Sequence, residues 1–202
     1  MNKNIELEFR ANLTKKLAER VDRQLTALAK RKEVTKRISF MSFGSQGSNN
    51  IDIRVRLTNG KSEVVIKTGE LHSHKRIELS QTIGTEQFMG FVKLFTLFNY
   101  ETKIAERVTT NYYLKNNIVV SIVQAKSIFY LEIEKLSHIS EIEKNTKILK
   151  DILKKLGLSD HIINTKAAFD QLCSLLSKKT DWTYKGSMRD EKRLKMLIKR
   201  FI

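Results

Sequence analysis

The first third of the chain changes from a helical to a strand-like hydrophobic pattern. After an alternating segment at Ile5–Arg10, Leu17, Val21, Leu25 and Leu28 recur at spacings of four, four and three residues. This spacing predicts one amphipathic helix. The period then becomes two in four short runs separated by turn-prone residues: RISFMSF, IDIRVRL, KSEVVIK and HKRIELS. These runs predict an antiparallel meander.

The middle of the chain repeats this order of helix and strands. A helix is predicted from Thr85, because Phe88, Phe91, Val92 and Phe95 lie at positions i, i+3, i+4 and i+7. Strand character returns in ETKIAERVTTNYYL, NIVVSIVQA and SIFYLEIEK. The number of predicted strands thereby reaches about eight.

The last third is helical. Ser140 and Glu143 fit a capping box at the start of a helix. A further helix is predicted over Lys166–Ser177, and a final basic helix follows Gly186.

Together these elements predict an α+β fold. Eight antiparallel strands with alternating patterning indicate a closed or nearly closed β-barrel with flanking helices and a C-terminal helical segment. We expect a main domain over residues 1–177 and a basic helical extension over residues 178–202.

Two pairs of glutamates are the first candidates for chemistry. Glu6 and Glu8 lie two residues apart in IELEFR, and Glu132 and Glu134 do so in FYLEIEK. A strand points residues i and i+2 to the same face, so each pair should repel in an ordinary sheet. In a barrel the two pairs could meet across the lumen, so that four carboxylates face one cavity.

Basic residues accompany these acids on other strands. Arg54 and Arg56 share a face of one strand, and Lys67 ends the next. Guanidinium and ammonium groups bind phosphate oxygens, whereas carboxylates hold a hard cation such as Mg²⁺ or Mn²⁺. A lumen with both sets would suit a polyphosphate and a divalent metal.

The net charge agrees with an anionic ligand. Thirty-eight Lys and Arg against 22 Asp and Glu give +16, which favours phosphates, nucleic acid or an anionic surface as partners. Nucleic acid is a possible partner through the basic segments Lys15–Arg37 and Lys178–Arg200, although a charged helix face is most often only solvated.

The cellular setting follows from other features. The single cysteine, Cys173, and the charged N-terminal segment predict a reducing, cytoplasmic location. The longest apolar run, IVVSIVQA, is far shorter than the roughly 20 residues that span a bilayer as a helix, so no membrane partner is expected.

The same residues resemble a known family. IELEFR is similar to the N-terminal ExExK signature of CYTH-domain proteins, the triphosphate tunnel metalloenzymes, with Arg10 in the place of lysine. RVR at Arg54–Arg56, Lys67, RIE at Arg76–Glu78 and LEIE at Leu131–Glu134 follow in the family's order. The similarity continues through ILKKLGL into AAFDQL and covers about residues 1–177.

This resemblance implies an eight-stranded tunnel that binds a small triphosphate and cleaves it with Mg²⁺ or Mn²⁺. Family members include inorganic triphosphatases, thiamine triphosphatases, class IV adenylate cyclases and, more distantly, RNA 5′-triphosphatases. We therefore expect a metal-dependent triphosphatase. The alternatives are cyclase or RNA 5′-triphosphatase activity, or a non-catalytic module that binds polyphosphate or nucleic acid.

The resemblance also implies roles for individual residues. The expected metal ligands or water-positioning groups are Glu6, Glu8, Glu132 and Glu134. The expected phosphate-binding residues are Arg10, Arg54, Arg56, Lys67, Arg76, Lys103 and Arg107.

One departure from the family pattern concerns the metal. The family commonly has an aspartate on the strand before the final ExE, but no acid occurs between Glu106 and Glu132 here. Ser121 or Val123 occupies that region, so one expected metal ligand is missing.

Overall fold

The computed structural model describes residues 5–46, 49–69 and 75–202. The strands are β1 (Ile5–Leu13), β2 (Arg31–Gln46), β3 (Asn49–Thr58), β4 (Lys61–Thr68), β5 (Lys75–Ile83), β6 (Glu101–Tyr113), β7 (Val119–Ala125), β8 (Ile128–Ser137) and β9 (Trp182–Thr183). The helices are α1 (Lys15–Leu28), α2 (Phe88–Thr96), α3 (Ile142–Lys155), α4 (Lys166–Lys179) and α5 (Met188–Ile198).

Eight of these strands form a closed antiparallel ring. Their order is β2, β3, β4, β5, β1, β8, β7, β6, and a long β2–β6 ladder closes the ring. Among the described residues, β1 pairs with β5 through Glu6–Arg76 and Leu7–Lys75. The short strand β9 adds to β6 at Lys103 and Ile104. The predicted α+β fold with an eight-stranded barrel is confirmed.

Two apolar cores cover the outside of the ring. Helices α1 and α3 pack on β1, β7 and β8, where Val21, Leu131 and Leu149 are fully buried. Helices α2 and α5 pack on β2 and β3, where Phe40 and Leu194 are fully buried. Because strand residues alternate between faces, apolar packing outside leaves the charged positions of the same strands to the lumen.

The start of α3 differs from the prediction. The capping box at Ser140 and Glu143 is absent: α3 begins after a 3₁₀ turn, and its N-cap residue, Glu141, makes no side-chain cap. The expected domain boundary after residue 177 falls inside α4. Leu194 of α5 belongs to the core on β2 and β3, so the C-terminal segment packs onto the barrel.

Within the described residues, no helix combines the length and the apolar character needed to cross a bilayer.

Candidate metal and phosphate site

The ring encloses a cavity of about 600 Å³. Ten of the eleven residues predicted for the site line it: Glu6, Glu8, Arg10, Arg54, Arg56, Lys67, Lys103, Arg107, Glu132 and Glu134. For the eleventh, Arg76, the backbone pairs with Glu6, but its side chain lies outside the described part of the chain.

The two glutamate pairs lie side by side in the wall of the tunnel. Strand β1 is hydrogen-bonded to β8, with Glu8 opposite Glu134 and Arg10 opposite Glu132. The expectation that the pairs meet across the lumen is therefore wrong, because their strands are neighbours in the sheet. Glu8, Glu132 and Glu134 each place a carboxylate oxygen within 4.8 Å of the other two.

The pKa values of the three carboxylates shift in different directions. Burial and the neighbouring carboxylates raise the pKa of Glu8 to about 7, although Arg10 opposes the shift. Burial, Glu8 and Glu132 raise the pKa of Glu134 well above its usual value. Burial acts in the same direction on Glu132, but its ion pair with Arg10 holds its pKa below the usual range. Without a bound metal ion, the cluster therefore tends to retain a proton at Glu134.

Arg10 forms ion pairs with two of the three carboxylates in the cluster. Its guanidinium forms an ion pair with Glu8, and its Nε donates to Glu132 Oε1 at 3.1 Å. The guanidinium carbon also lies 5.3 Å from the ring centroid of Phe169 on α4, within the range of a cation–π contact.

Glu6 is held outside the three-carboxylate cluster. Lys67 Nζ donates to Glu6 Oε2 at 3.0 Å and also forms an ion pair with Glu78. Among the four predicted metal ligands, Glu6 thus forms an ion pair with Lys67, whereas the other three form the carboxylate cluster.

Arg56 is the basic residue best placed to take an anion. Its side chain is 8% exposed, and its contacts with Glu63 and Glu78 are long, at 3.6 and 3.5 Å. Its buried Nε has no hydrogen-bond partner among the described residues. The pKa of Arg56 is lowered, first by burial and then by the guanidinium groups of Arg54 and Arg37. A phosphate oxygen here would satisfy the Nε and offset the crowding of positive charge.

Arg54 is oriented by an acid that sequence analysis missed. Its Nε and a terminal nitrogen donate to the two carboxylate oxygens of Asp52, at 2.8 and 2.6 Å. Asp52 is fully buried. The alternation in IDIRVRL places Asp52 on the same strand face as Arg54. This pattern could have identified Asp52 as a residue of the site.

A second such pair involves the segment after α4. Arg107 donates to both carboxylate oxygens of Asp181, at 2.7 and 2.9 Å. Lys103 contacts Glu101 at 2.9 Å and hydrogen-bonds Ser177 of α4. Helix α4 therefore lines part of the cavity, and no local sequence pattern identified Asp181 as a lining residue.

The two residues in the region of the missing family aspartate, Ser121 and Val123, are both neutral, and Val123 lines the cavity. Ser121 on β7 lies opposite Glu132 of β8. Its hydroxyl donates to Asn111 Oδ1 at 2.8 Å. The cluster is therefore built from β1 and β8 without an acid from β7.

The chemistry of the donors fits a hard divalent cation. Glu8, Glu132 and Glu134 offer only carboxylate oxygens, the donors that Mg²⁺ and Mn²⁺ prefer. A bound cation would also relieve the repulsion that raises the pKa values of Glu8 and Glu134.

Comparisons with solved structures support the fold. The PH1819 protein of Pyrococcus horikoshii OT3 is 16% identical over 84% of this chain and 99% of its own, with a TM-score of 0.65. The PH1012 protein of the same organism is 20% identical over 81% of this chain and 98% of its own, with a TM-score of 0.62.

A third similar structure is that of a putative adenylyl cyclase from Hippeastrum. HpAC1 from Hippeastrum, described as having a dominant triphosphatase activity, is 13% identical over 88% of this chain and 99% of its own, with a TM-score of 0.51. Searches with protein-family models and among curated proteins gave no match. The chain thus shares its fold with these proteins.

Proposed function

We propose that this chain, which has the tunnel fold of the CYTH superfamily, hydrolyses the terminal phosphoanhydride of a small triphosphate with Mg²⁺ or Mn²⁺. One observation carries the proposal: a cluster of three carboxylates shares an enclosed cavity with a buried, incompletely paired arginine. Groups suited to a metal and groups suited to a phosphate therefore line the same cavity. The triphosphatase activity described for HpAC1 is in accord with it.

The metal would be held by Glu8, Glu132 and Glu134, the residues that already lie within 4.8 Å of one another. A bound divalent cation would neutralise phosphate charge and lower the pKa of a water molecule for attack on phosphorus.

The remaining groups bind and orient the triphosphate. Arg56 offers its unpartnered Nε, and Arg54 presents a guanidinium fixed by Asp52. Such preorganised cations stabilise charge on a transferring phosphoryl group without reorganising during the reaction. Lys67, held between Glu6 and Glu78, adds a third positive charge on β4.

A phosphate-release assay tests the proposal. Tripolyphosphate, thiamine triphosphate, ATP and triphosphorylated RNA would each be incubated with Mg²⁺ or Mn²⁺ and with EDTA. We expect release that depends on the metal. Cyclic AMP formed from ATP would instead identify a cyclase. An absence of both products with every substrate and both metals would reject the enzymatic function.

Ligand binding should also raise the melting temperature. A ligand that prefers the native state stabilises it by mass action, by about 1.4 kcal/mol at ten times its Kd. For a chain of this length, that corresponds to a shift of roughly 3–6 °C. The measurement is differential scanning fluorimetry with Mn²⁺, tripolyphosphate, or both. The combined ligands should give the largest shift, and equal melting temperatures in all samples would contradict a shared site.

A further inference from the structure

A second concave site lies on the outer surface, between β9 and α5. This cleft has a volume of about 510 Å³ and is lined by Trp182, Thr183, Arg189, Asp190, Lys192, Arg193 and Met196. It shares no lining residue with the tunnel cavity.

The cleft contains a stacked aromatic and cationic pair. The guanidinium carbon of Arg193 lies 4.0 Å from the ring centroid of Trp182. Trp182 is partly buried against the core on β2 and β3, so its indole is held in place while Arg193 remains exposed. A planar guanidinium on an indole is a surface on which a nucleobase can stack.

The cleft contains more cations than acids, and its one acidic lining residue, Asp190, interacts electrostatically with Arg193. Among the described residues, Arg189, Lys192 and Arg193 take part in no salt bridge. Both nearby acids also have other partners: Asp190 accepts from the backbone N–H of Lys185 at 3.0 Å, and Glu191 pairs with Lys93 at 3.1 Å. The cleft thus offers positive charge for a phosphate backbone beside the stacking surface.

We infer that the cleft between β9 and α5 binds single-stranded nucleic acid, with a base stacked on the Trp182–Arg193 pair and phosphates on Arg189 and Lys192. The recessed position of Trp182 fits a planar base that enters a cleft better than a lipid surface, which favours protruding apolar side chains. An acidic peptide would use the charge but not the stacking surface. This inference does not depend on hydrolysis in the tunnel.

The test compares the parent chain with the triple variant Arg189→Gln, Lys192→Gln, Arg193→Gln. These side chains are exposed, so the fold should be retained. A matched control, Lys147→Gln, Lys154→Gln, Lys155→Gln, removes the same charge from exposed positions of α3. The probes are labelled single-stranded RNA and DNA of about ten nucleotides, a length in the range of known single-strand sites. Binding is measured by anisotropy over a series of salt concentrations.

For the parent and the control variant we expect salt-dependent binding with the same slope. Each phosphate contact on a single strand contributes about 0.7 to the slope of log K against log salt, so loss of the two contacts at Arg189 and Lys192 should reduce it by about 1.4. Trp182 is the only tryptophan of the chain, so its emission should change when the parent binds and thereby locate the site.

Three results would overturn the inference. One is equal slopes in the cleft variant and the α3 control. Another is RNA and DNA binding with no change in Trp182 emission, and the third is binding to anionic phospholipid vesicles without binding to either nucleic acid. Tripolyphosphate hydrolysis, measured in parallel, should be unchanged in the cleft variant, so failure here and failure of the proposed hydrolase are distinguishable.

Discussion

Replacement of Glu134 by glutamine should reduce metal-dependent hydrolysis by about 100-fold or more. Glu134 is one of the three carboxylates in the cluster, and glutamine keeps its size but removes the anionic oxygen. Loss of a residue that merely supports a metal ligand typically costs 10–100-fold, so loss of a ligand should cost at least as much. The measurement is phosphate release from tripolyphosphate with Mg²⁺ and with Mn²⁺.

The matched control is Glu19→Gln. Glu19 is exposed on α1, outside the cavity, and its replacement removes the same charge. Its hydrolysis should equal that of the parent. Full turnover by Glu134→Gln with both metals would show that the cluster does not hold the catalytic cation.

The same variant should stabilise the metal-free protein at alkaline pH. Because the folded protein raises the pKa of Glu134, the contribution of this group to stability is present below its unfolded pKa and is lost as pH rises through its folded pKa. Glu8 adds a loss in the same direction as pH rises from about 4.5 to about 7. Glutamine does not ionise, so the variant should lose less stability.

Urea denaturation in EDTA at pH 5 and pH 8 measures this difference. The stability advantage of Glu134→Gln over the parent should grow between the two pH values. A variant that is less stable than the parent by the same amount at both would point to lost packing and would contradict repulsion within the cluster.

The double variant Asp52→Asn, Arg54→Gln should weaken tripolyphosphate binding by roughly 10- to 150-fold. That range corresponds to the 1.5–3 kcal/mol associated with hydrogen bonds to charged groups. Both residues are changed because Arg54→Gln alone would remove the ion pair that Arg54 forms with the fully buried Asp52. Breaking one side of a buried ion pair is itself strongly destabilising. The measurement is calorimetric titration with tripolyphosphate.

Two comparisons complete this experiment. Arg23→Gln, at an exposed position of α1, should bind as the parent does. The single variant Asp52→Asn keeps the positive charge of Arg54 but loosens its orientation, so it should bind with intermediate affinity. Parent-like affinity in the double variant would remove Arg54 from the phosphate site.

Local sequence determined which residues face the lumen. In β1, β3 and β8, charged residues alternate with apolar ones, and a strand points successive side chains to opposite faces. Apolar residues such as Leu7 and Leu131 must pack under helices, so Glu8 and Glu132 must turn inwards. The barrel and the ten predicted residues that line the cavity could therefore be derived from periodicity and family resemblance.

Only the tertiary structure decided how the lumenal charges are paired. Periodicity does not specify which distant strands become neighbours or in what register, and a shift in register changes every cross-strand partner. The β1–β8 ladder places Glu8 opposite Glu134 and Arg10 opposite Glu132. Glu8 and Glu134 therefore repel each other, whereas the charge of Glu132 is offset by its ion pair with Arg10.

The contribution of the C-terminal segment was likewise set by long-range packing. Asp181 follows α4 and lies 74 residues from Arg107 in sequence, yet its carboxylate takes both hydrogen bonds from that guanidinium. No spacing rule connects two such residues, because their contact depends on where α4 crosses the barrel. The sequence alone therefore determined the faces of the strands, and the folded chain determined which of their charges meet.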